Sequence, residues 1–248
     1  MTGRLAQICR HPIKGHGRET LASVRLSAGE CLPWDRHWAV AHEAAQLEPG
    51  WNPCVNFARG AKAPELMAIT SVLDEATATV TLHHPARGDI RFRPDDPTDV
   101  PRFLDWVRPL NPENRAQPAQ IVTAGRGITD SDFPSVAILS NASLADLSAR
   151  MGQDLSPHRW RGNLWLDGAA PWAEFDWIGR EIRIGQAVLR IEERITRCTA
   201  TKVNPDSGKT DADTLSALEA AFGHQDFGVY ATVVKGGDVA LGDEWSLI

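Results

Sequence analysis

The chain has 248 residues, 42% of them hydrophobic, enough to bury a sizeable core in one large domain or two smaller ones. A formal net charge of −6 and a pI near 5.7 argue against a nucleic-acid binder held by counterion release, since such proteins present a basic face. No run of about 18 apolar residues is available for a membrane span, and residues 1–9 lack the apolar stretch of a signal peptide, so the expected setting is the cytoplasm, with neither membrane nor nucleic acid as partner.

Residues 4–8 read as a strand that stops at His11-Pro12-Ile13-Lys14-Gly15, where Pro and Gly mark a loop carrying Lys14. Residues 21–26 read as a second strand and 35–40 as a third, entered through Asp35-Arg36. On the surface such an ion pair contributes only about 0–1 kcal/mol. Residues 66–73, 78–83 and 90–93 form a predicted β-meander with turns at 74–76 and 85–88. His83 and His84 are adjacent on a strand and so point to opposite faces, which argues against a shared metal. Arg93-Pro94-Asp95-Asp96-Pro97 is the expected boundary, dividing the chain into an N-terminal β region, 1–96, and a second domain, 97–248. A short helix at 99–107 follows it.

The second half opens with a strand at 120–123 and a Gly-containing loop, 125–130. That loop lacks the third glycine and the βαβ context of a dinucleotide fingerprint. Residues 136–139 read as a buried strand, and Ser140-Asn141-Ala142-Ser143 opens a helix with Leu144, Leu147 and Met151 on one face. Ser140 and Asn141 are good N-caps and Ser143 with Asp146 is a further capping pair. The same amides and hydroxyls also suit a phosphate, and both readings stand. Residues 178–185 and 188–195 pair naturally as a hairpin, the second alternating Leu189, Ile191 and Ile195 against Arg190, Glu192 and Arg194.

That strand delivers Cys198 into the turn Asn204-Pro205-Asp206-Ser207-Gly208, where Pro fixes φ, Asn and Asp bond their own backbone and Gly accepts positive φ. Cys198, next to Arg197, is therefore a candidate reactive thiol, since the thiolate is the form that ligates metals and attacks electrophiles. A lone cysteine at a strand end equally fits a small buried hydrophobe. The other cysteines, Cys9, Cys31 and Cys54, lie far apart with no Cys-x-x-Cys pair, so reduced thiols are expected and not a disulfide scaffold or zinc ribbon. A helix beginning at Thr210 with Leu215, Leu218 and Phe222 inward, a strand at 226–234 and a last strand at 244–248 complete the chain. The predicted fold class is mostly β with a few helices (α+β), with a barrel-like second domain.

Laid out in this order, the motifs resemble the MOSC family, named for the molybdenum cofactor sulfurase C-terminal domain, in its two-part form with an N-terminal β-barrel region. That form includes the mitochondrial amidoxime-reducing component and its bacterial relatives. His11-Pro-Ile-Lys14-Gly15 resembles the family's Pro-Val-Lys-Ser loop, Asp35-Arg36-His-Trp38 its Asp-Arg-x-Trp/Phe, and Phe57-Ala-Arg59 with Pro64-Glu-Leu66 its Thr-Ala-Arg and Pro-x-Leu. Residues 138–144 resemble Leu-Ser-Glu-Ala-Ser-Leu, and Trp160-Arg161-Gly162-Asn163 resembles Phe-Arg-Pro-Asn. Thr196-Arg197-Cys198 with residues 203–208 resembles Ser-Arg-Cys followed by Val-Asp-Pro-Asp-Thr-Gly. The chain departs from the pattern at Gly15 and Gly162, which stand for Ser and Pro.

The resemblance implies a MOSC-type β-barrel plus a smaller N-terminal β region, and a molybdenum cofactor (Mo-molybdopterin) whose metal takes the Cys198 sulfur as a ligand, a soft thiolate suiting such a centre. By the same carry-over Lys14, Gly15, Arg36, Arg161, Asn163, Thr196 and Arg197 would hold the pterin and its phosphate. Ser140, Asn141, Ala142 and Ser143 would add hydroxyls and helix amides, and Tyr230 would lie on the cofactor's far side. The implied activity is reduction of N-hydroxylated or N-oxygenated small molecules. With no flavin or cluster motif in the chain, electrons would come from a separate donor protein of flavin, iron–sulfur or haem type. Two alternatives remain at this point: a carrier that holds a persulfide or the cofactor on Cys198 without turnover, and a non-catalytic β domain binding a small anion through Lys14, Arg36 and Arg161.

Overall fold

Apolar residues recurring at every second position of the C-terminal half close a barrel, as the computed structural model of residues 1–248 shows. The chain begins with β1 (Thr2–Arg10), β2 (Ile13–Lys14), β3 (Glu19–Leu21), β4 (Ser23–Leu26), β5 (Trp38–His42), β6 (Thr70–Asp74), β7 (Thr79–His84) and β8 (Gly88–Phe92). It continues through α1 (Val100–Val107), β9 (Pro118–Val122), β10 (Val136–Ser140), α2 (Asn141–Met151), β11 (Leu164–Asp167) and β12 (Glu181–Ile184). Last come β13 (Ala187–Thr196), α3 (Thr214–Phe222), β14 (Asp226–Lys235), β15 (Gly237–Ala240) and β16 (Glu244–Leu247). The sheet order β11-β10-β14-β13-β12-β16-β1 closes through β1–β11 pairing into a seven-strand barrel. Its interior holds Leu189 and Ile191 of β13 facing Val229, Ala231 and Val233 of β14, all fully or nearly fully buried. Burying each such side chain contributes about 1.5–3 kcal/mol.

A smaller lobe forms from β5 with β2 and β9, the meander β6–β8, and α1. Its core joins Ile13, Trp38, Val40, Leu82, Phe92 and Phe103. Chain division and spatial division differ. β1 belongs to the large barrel, whereas α1 and β9, beyond residue 97, pack with the smaller lobe, because Phe103, Trp106 and Val107 bury into its core and β9 pairs with β5. A cut at 96/97 therefore runs through the smaller lobe's packing, and the change of lobe falls between β9 and β10.

Other departures have local causes. Residues 35–37 are a turn instead of a strand: Trp34 and Arg36 adopt positive φ (63° and 53°), and extended chain begins only at Trp38. Pro64 starts a 3₁₀ turn through Ala68, so the strand expected at 66–73 begins at Thr70. The segment 21–26 is broken between β3 and β4, which pair with β1 and β15 respectively. A bulge between Ile191 and Glu193 re-aims β13, so Ile195 leaves the barrel interior and joins the cluster under α2 and α3. α3 starts at Thr214, capped by Asp213, because residues 210–212 lie back along the Cys198 turn.

The strand directions gather loops from both lobes at one end of the barrel. β10 and β11 are parallel, so the segments that enter them, residues 126–135 and 160–163, meet there. β2 and the turn at residue 36 bring the smaller lobe to that same end, where the Arg36 guanidinium bonds the Arg161 carbonyl. No helix is long and apolar enough to cross a membrane.

Candidate functional site

Asp35 anchors the site. Its carboxylate is fully buried and accepts the His11 backbone N–H at 2.8 Å, with the His11 ring at 3.3 Å. Burial alone would raise its pKa, but the Arg36 guanidinium and the bonds from His11 overcome this and hold it well below the usual carboxylate range. Burial and nearby Arg161 push His11 down to about 3, so its ring is neutral at physiological pH. Arg36, in its left-handed turn, pairs with Asp35 through one guanidinium nitrogen and donates the other to the Arg161 carbonyl at 2.7 Å. One buried carboxylate thus aims a cation across the lobe junction.

Lys14 reaches the same space from β2. Its ammonium donates to the Ile128 carbonyl at 2.8 Å and pairs with Asp130 at 2.5 Å. Gly15 (φ 75°) lets the chain press on the next loop, since a Cβ there would stand 2.6 Å from the Ala58 carbonyl oxygen. Arg161 follows a 3₁₀ turn in a left-handed conformation (φ 49°), and its Nη2 is buried without a hydrogen-bond partner. Burial and the neighbouring Arg36 charge lower its pKa to about 9. Arg197 is fixed differently: its nitrogens donate to the carbonyls of Phe227 and Trp160, the latter at 2.8 Å, and its guanidinium lies over both aromatic rings. It acts as a strut with a charge, brought down to about 10 by burial.

Asp130 lies within the charge field of Lys14, Arg36, Arg161 and Arg197, yet 58% of its side chain is open to solvent. These groups therefore cluster about a recess that opens to solvent at Asp130 and are not sealed in the core. Tyr230 of β14 faces the same charges, and burial raises its phenol to about 12. Cys198 is exposed beside Arg197 and opens a 3₁₀ turn, 199–202. Asn204 closes the following turn by accepting the Asp206 N–H at 2.9 Å. Arg18 of the smaller lobe ties that turn down through the Pro205 carbonyl and Asp206. Lys14, Gly15, Arg36, Arg161, Arg197, Tyr230 and Cys198 are thus brought to one place.

Several expected site residues are not. Ser140 to Ser143 stand at the far end of β10, a five-residue strand that spans about 13 Å. There Ser140 Oγ accepts the Ser143 N–H as N-cap, Ser143 Oγ donates to the buried Glu174 at 2.9 Å, and Asn141 donates to Asp167. Asp146 bonds Trp172 and Arg150 instead of closing a cap with Ser143. Asn163 is buried, its amide spent on the Ala137 N–H and the Cys9 carbonyl, so it stitches strands together. Thr196 turns its hydroxyl to Asp226 at 2.7 Å. Ala142 lies in the first turn of α2, at that same far end of β10.

Two residues went unread in the sequence. Asp130 belongs to a loop without periodicity, and the only available signal is the polar run Thr129-Asp130-Ser131 ahead of buried β10. Cys54, half-buried, accepts Arg59 Nη1 at 2.8 Å, and its charge couples to those of Lys14, Asp130 and Cys198. Burial raises its pKa, with Arg59 opposing.

The recess passes a test for an anionic group. After Lys14 pairs with Asp130 and Arg36 with Asp35, Arg161 and Arg197 remain in excess, and the Arg161 Nη2 donor has no partner in the chain. A phosphate-bearing ligand supplies the missing acceptor and charge, since forked guanidinium bonds to an anion are strong. An exposed thiol at the rim supplies a soft ligand atom.

Fold and site together define a two-lobed β protein with an exposed thiol and a cluster of cations where its lobes meet. Family models agree: the MOSC N-terminal beta barrel domain matches residues 2–106 and the MOSC domain matches residues 126–246, so the chain belongs to the MOSC family. It is 28% identical over 154 residues to mitochondrial amidoxime-reducing component 1 of Mus musculus, covering 57% of this chain and 45% of that one. It is 22% identical over 290 residues to the Danio rerio protein of the same name, covering 97% and 83%. The chain thus spans about half the length of the first of these curated relatives. The solved structure of the YuaD protein from Bacillus subtilis aligns with 100% of this chain and 96% of its own at 13% identity, with a TM-score of 0.48.

Proposed function

We propose that the chain is a molybdenum-cofactor-dependent oxidoreductase that removes oxygen from N-hydroxylated small molecules, with Cys198 as the protein ligand to the metal. The observation that carries this reading is an exposed thiol at the rim of a recess where the half-buried Arg161 has no anionic partner and its buried Nη2 no acceptor. Lys14, Arg36 and Arg161 would hold the anionic end of the pterin. Asp35 and His11 keep Arg36 in line, and Arg197 braces the loop on which Cys198 stands. The bound cofactor supplies the two-electron couple. The net reaction takes a hydroxylamine-type substrate, two electrons and two protons to the amine and water. Tyr230 keeps its phenolic proton throughout the physiological range and can donate a hydrogen bond into the recess.

Electrons would come from a separate donor protein, because the four cysteines are all free and dispersed and do not form a cluster site. A cytoplasmic location suits those free thiols. The test is turnover of a simple amidoxime with a chemical reductant. Cys198→Ala lowers the rate by at least about a hundredfold with an unchanged thermal midpoint, because the residue is exposed. Retained turnover contradicts the assignment. A second reading, a sulfur carrier, draws support from Cys54 held by Arg59 within charge reach of Cys198. Labile sulfane sulfur without molybdenum in the purified protein would favour it.

A further inference from the structure

We infer that a second anion site lies in the smaller lobe beside the Cys198 loop, and that it takes the carboxylate or phosphate tail of the substrate. The substrate half of this inference rests on the proposed reductase activity; the anion site itself does not. A cavity of about 220 Å³ is walled by Arg59, Lys62 and Arg115 above an apolar floor that includes Val55, Phe57 and Ala63. No acidic side chain lines it, and none of the three cations forms an ion pair. Arg59 is half-buried, and most of the other buried or half-buried cations of this chain, with its 32 acidic and 26 basic residues, have a carboxylate partner; Lys62 and Arg115 stand exposed beside it. Val55 leaves 61% of its surface exposed at the mouth. A branched side chain held open beside three unpaired cations suits a ligand with an apolar body and an anionic end.

The segment 54–63 is shared between this cavity and the recess. Arg59 lines the cavity and also donates to Cys54 at 2.8 Å, the thiol coupled to Lys14 and Cys198. The Ala61 carbonyl accepts the Thr199 hydroxyl at 3.2 Å, one residue from Cys198, and the Ala58 carbonyl abuts Gly15. The cavity volume falls below the roughly 300–1,000 Å³ of a site that encloses a whole drug-sized ligand, so it matches a tail whose reacting end lies elsewhere. The substrate class is therefore an N-oxygenated small molecule with a carboxylate or phosphate.

The double variant Lys62→Gln/Arg115→Gln tests this, both residues being exposed and outside the packed core. Titration of the full chain with inorganic phosphate, followed by amide NMR, should shift Val55, Ala63 and Ala116. The double variant should weaken that response about tenfold while Gly162, at the recess, still responds. With turnover, the preference for 4-carboxybenzamidoxime over neutral benzamidoxime, taken as the ratio of kcat/KM, should fall about tenfold in the double variant, mostly through KM. Silent cavity amides, or a midpoint the double variant leaves in place, overturn the anion site. Phosphate binding as expected with no change in substrate preference overturns the tail assignment. Phosphate binding as expected with no turnover of either amidoxime sinks the reductase reading and the tail assignment with it, and supports the anion site alone.

Discussion

The two ends of β10 bury polar groups on opposite plans. At the α2 end, Ser140, Ser143 and Glu174 are essentially inaccessible and bond to one another and to the Trp172 N–H, which leaves only the Glu174 Oε1 without a partner. At the other end Lys14, Arg36, Arg161 and Arg197 converge on a recess that solvent enters, with more positive charge than Asp35 and Asp130 offset and one guanidinium donor unmatched. Buried polar groups in folded proteins find partners. The first, nearly closed network has no excess cation for an outside group to satisfy, whereas the second leaves positive charge uncompensated, which the proposed anionic ligand would supply.

Arg161 gives the sharpest way to break this contrast. A half-buried, unpaired cation beside Arg36 costs stability in the ligand-free chain, so Arg161→Met should raise cofactor-free stability by about 1–3 kcal/mol while molybdenum content falls at least about tenfold. Thermal unfolding and elemental analysis of the same preparations check both halves. A variant that loses stability would place Arg161 with the closed network.

Glu174 sharpens the other side. Burial raises its carboxyl from 4.5 to about 7. The folded state therefore binds the proton more tightly than the unfolded chain, and the stability this contributes is full below pH 4.5 and lost as pH rises through 7. The loss amounts to about 3 kcal/mol. His11 acts in the opposite sense: its folded value near 3 lies below the ordinary 6.5, so its contribution is present above 6.5 and lost as pH falls. Glu174→Gln should accordingly flatten the decline in stability between pH 5 and 8 and leave the acid-side loss from His11 in place. Urea unfolding across that range measures both, and a decline that persists in Glu174→Gln would assign it to another group.

The same contrast explains what the sequence could carry. The alternation of Leu189 and Ile191, the turn chemistry of residues 204–208 and the apolar face of α2 are local patterns, and each forms where they place it. The left-handed backbone at Arg36 and Arg161 is not local. It is held by bonds to His11 and by the meeting of the two lobes, and no neighbouring residue type announces it. Ser140-Asn141-Ala142-Ser143 presents hydroxyls and amides that suit a phosphate or a cap equally well. Only the direction of β10 and the arrival of Glu174, more than thirty residues later, decide between them. Cys54 and Asp130 reach the recess through loops whose sequences have no period to read.

Molybdenum per chain, measured in protein from a cofactor-competent host, tests the thiol-rimmed recess most directly. The wild type and Ser143→Ala should each carry about one metal, Ser143→Ala at the expense of about 1–2 kcal/mol of stability, while Cys198→Ala carries almost none. Equal loading of Cys198→Ala and the wild type, or loss of loading in a folded Ser143→Ala, would contradict the account.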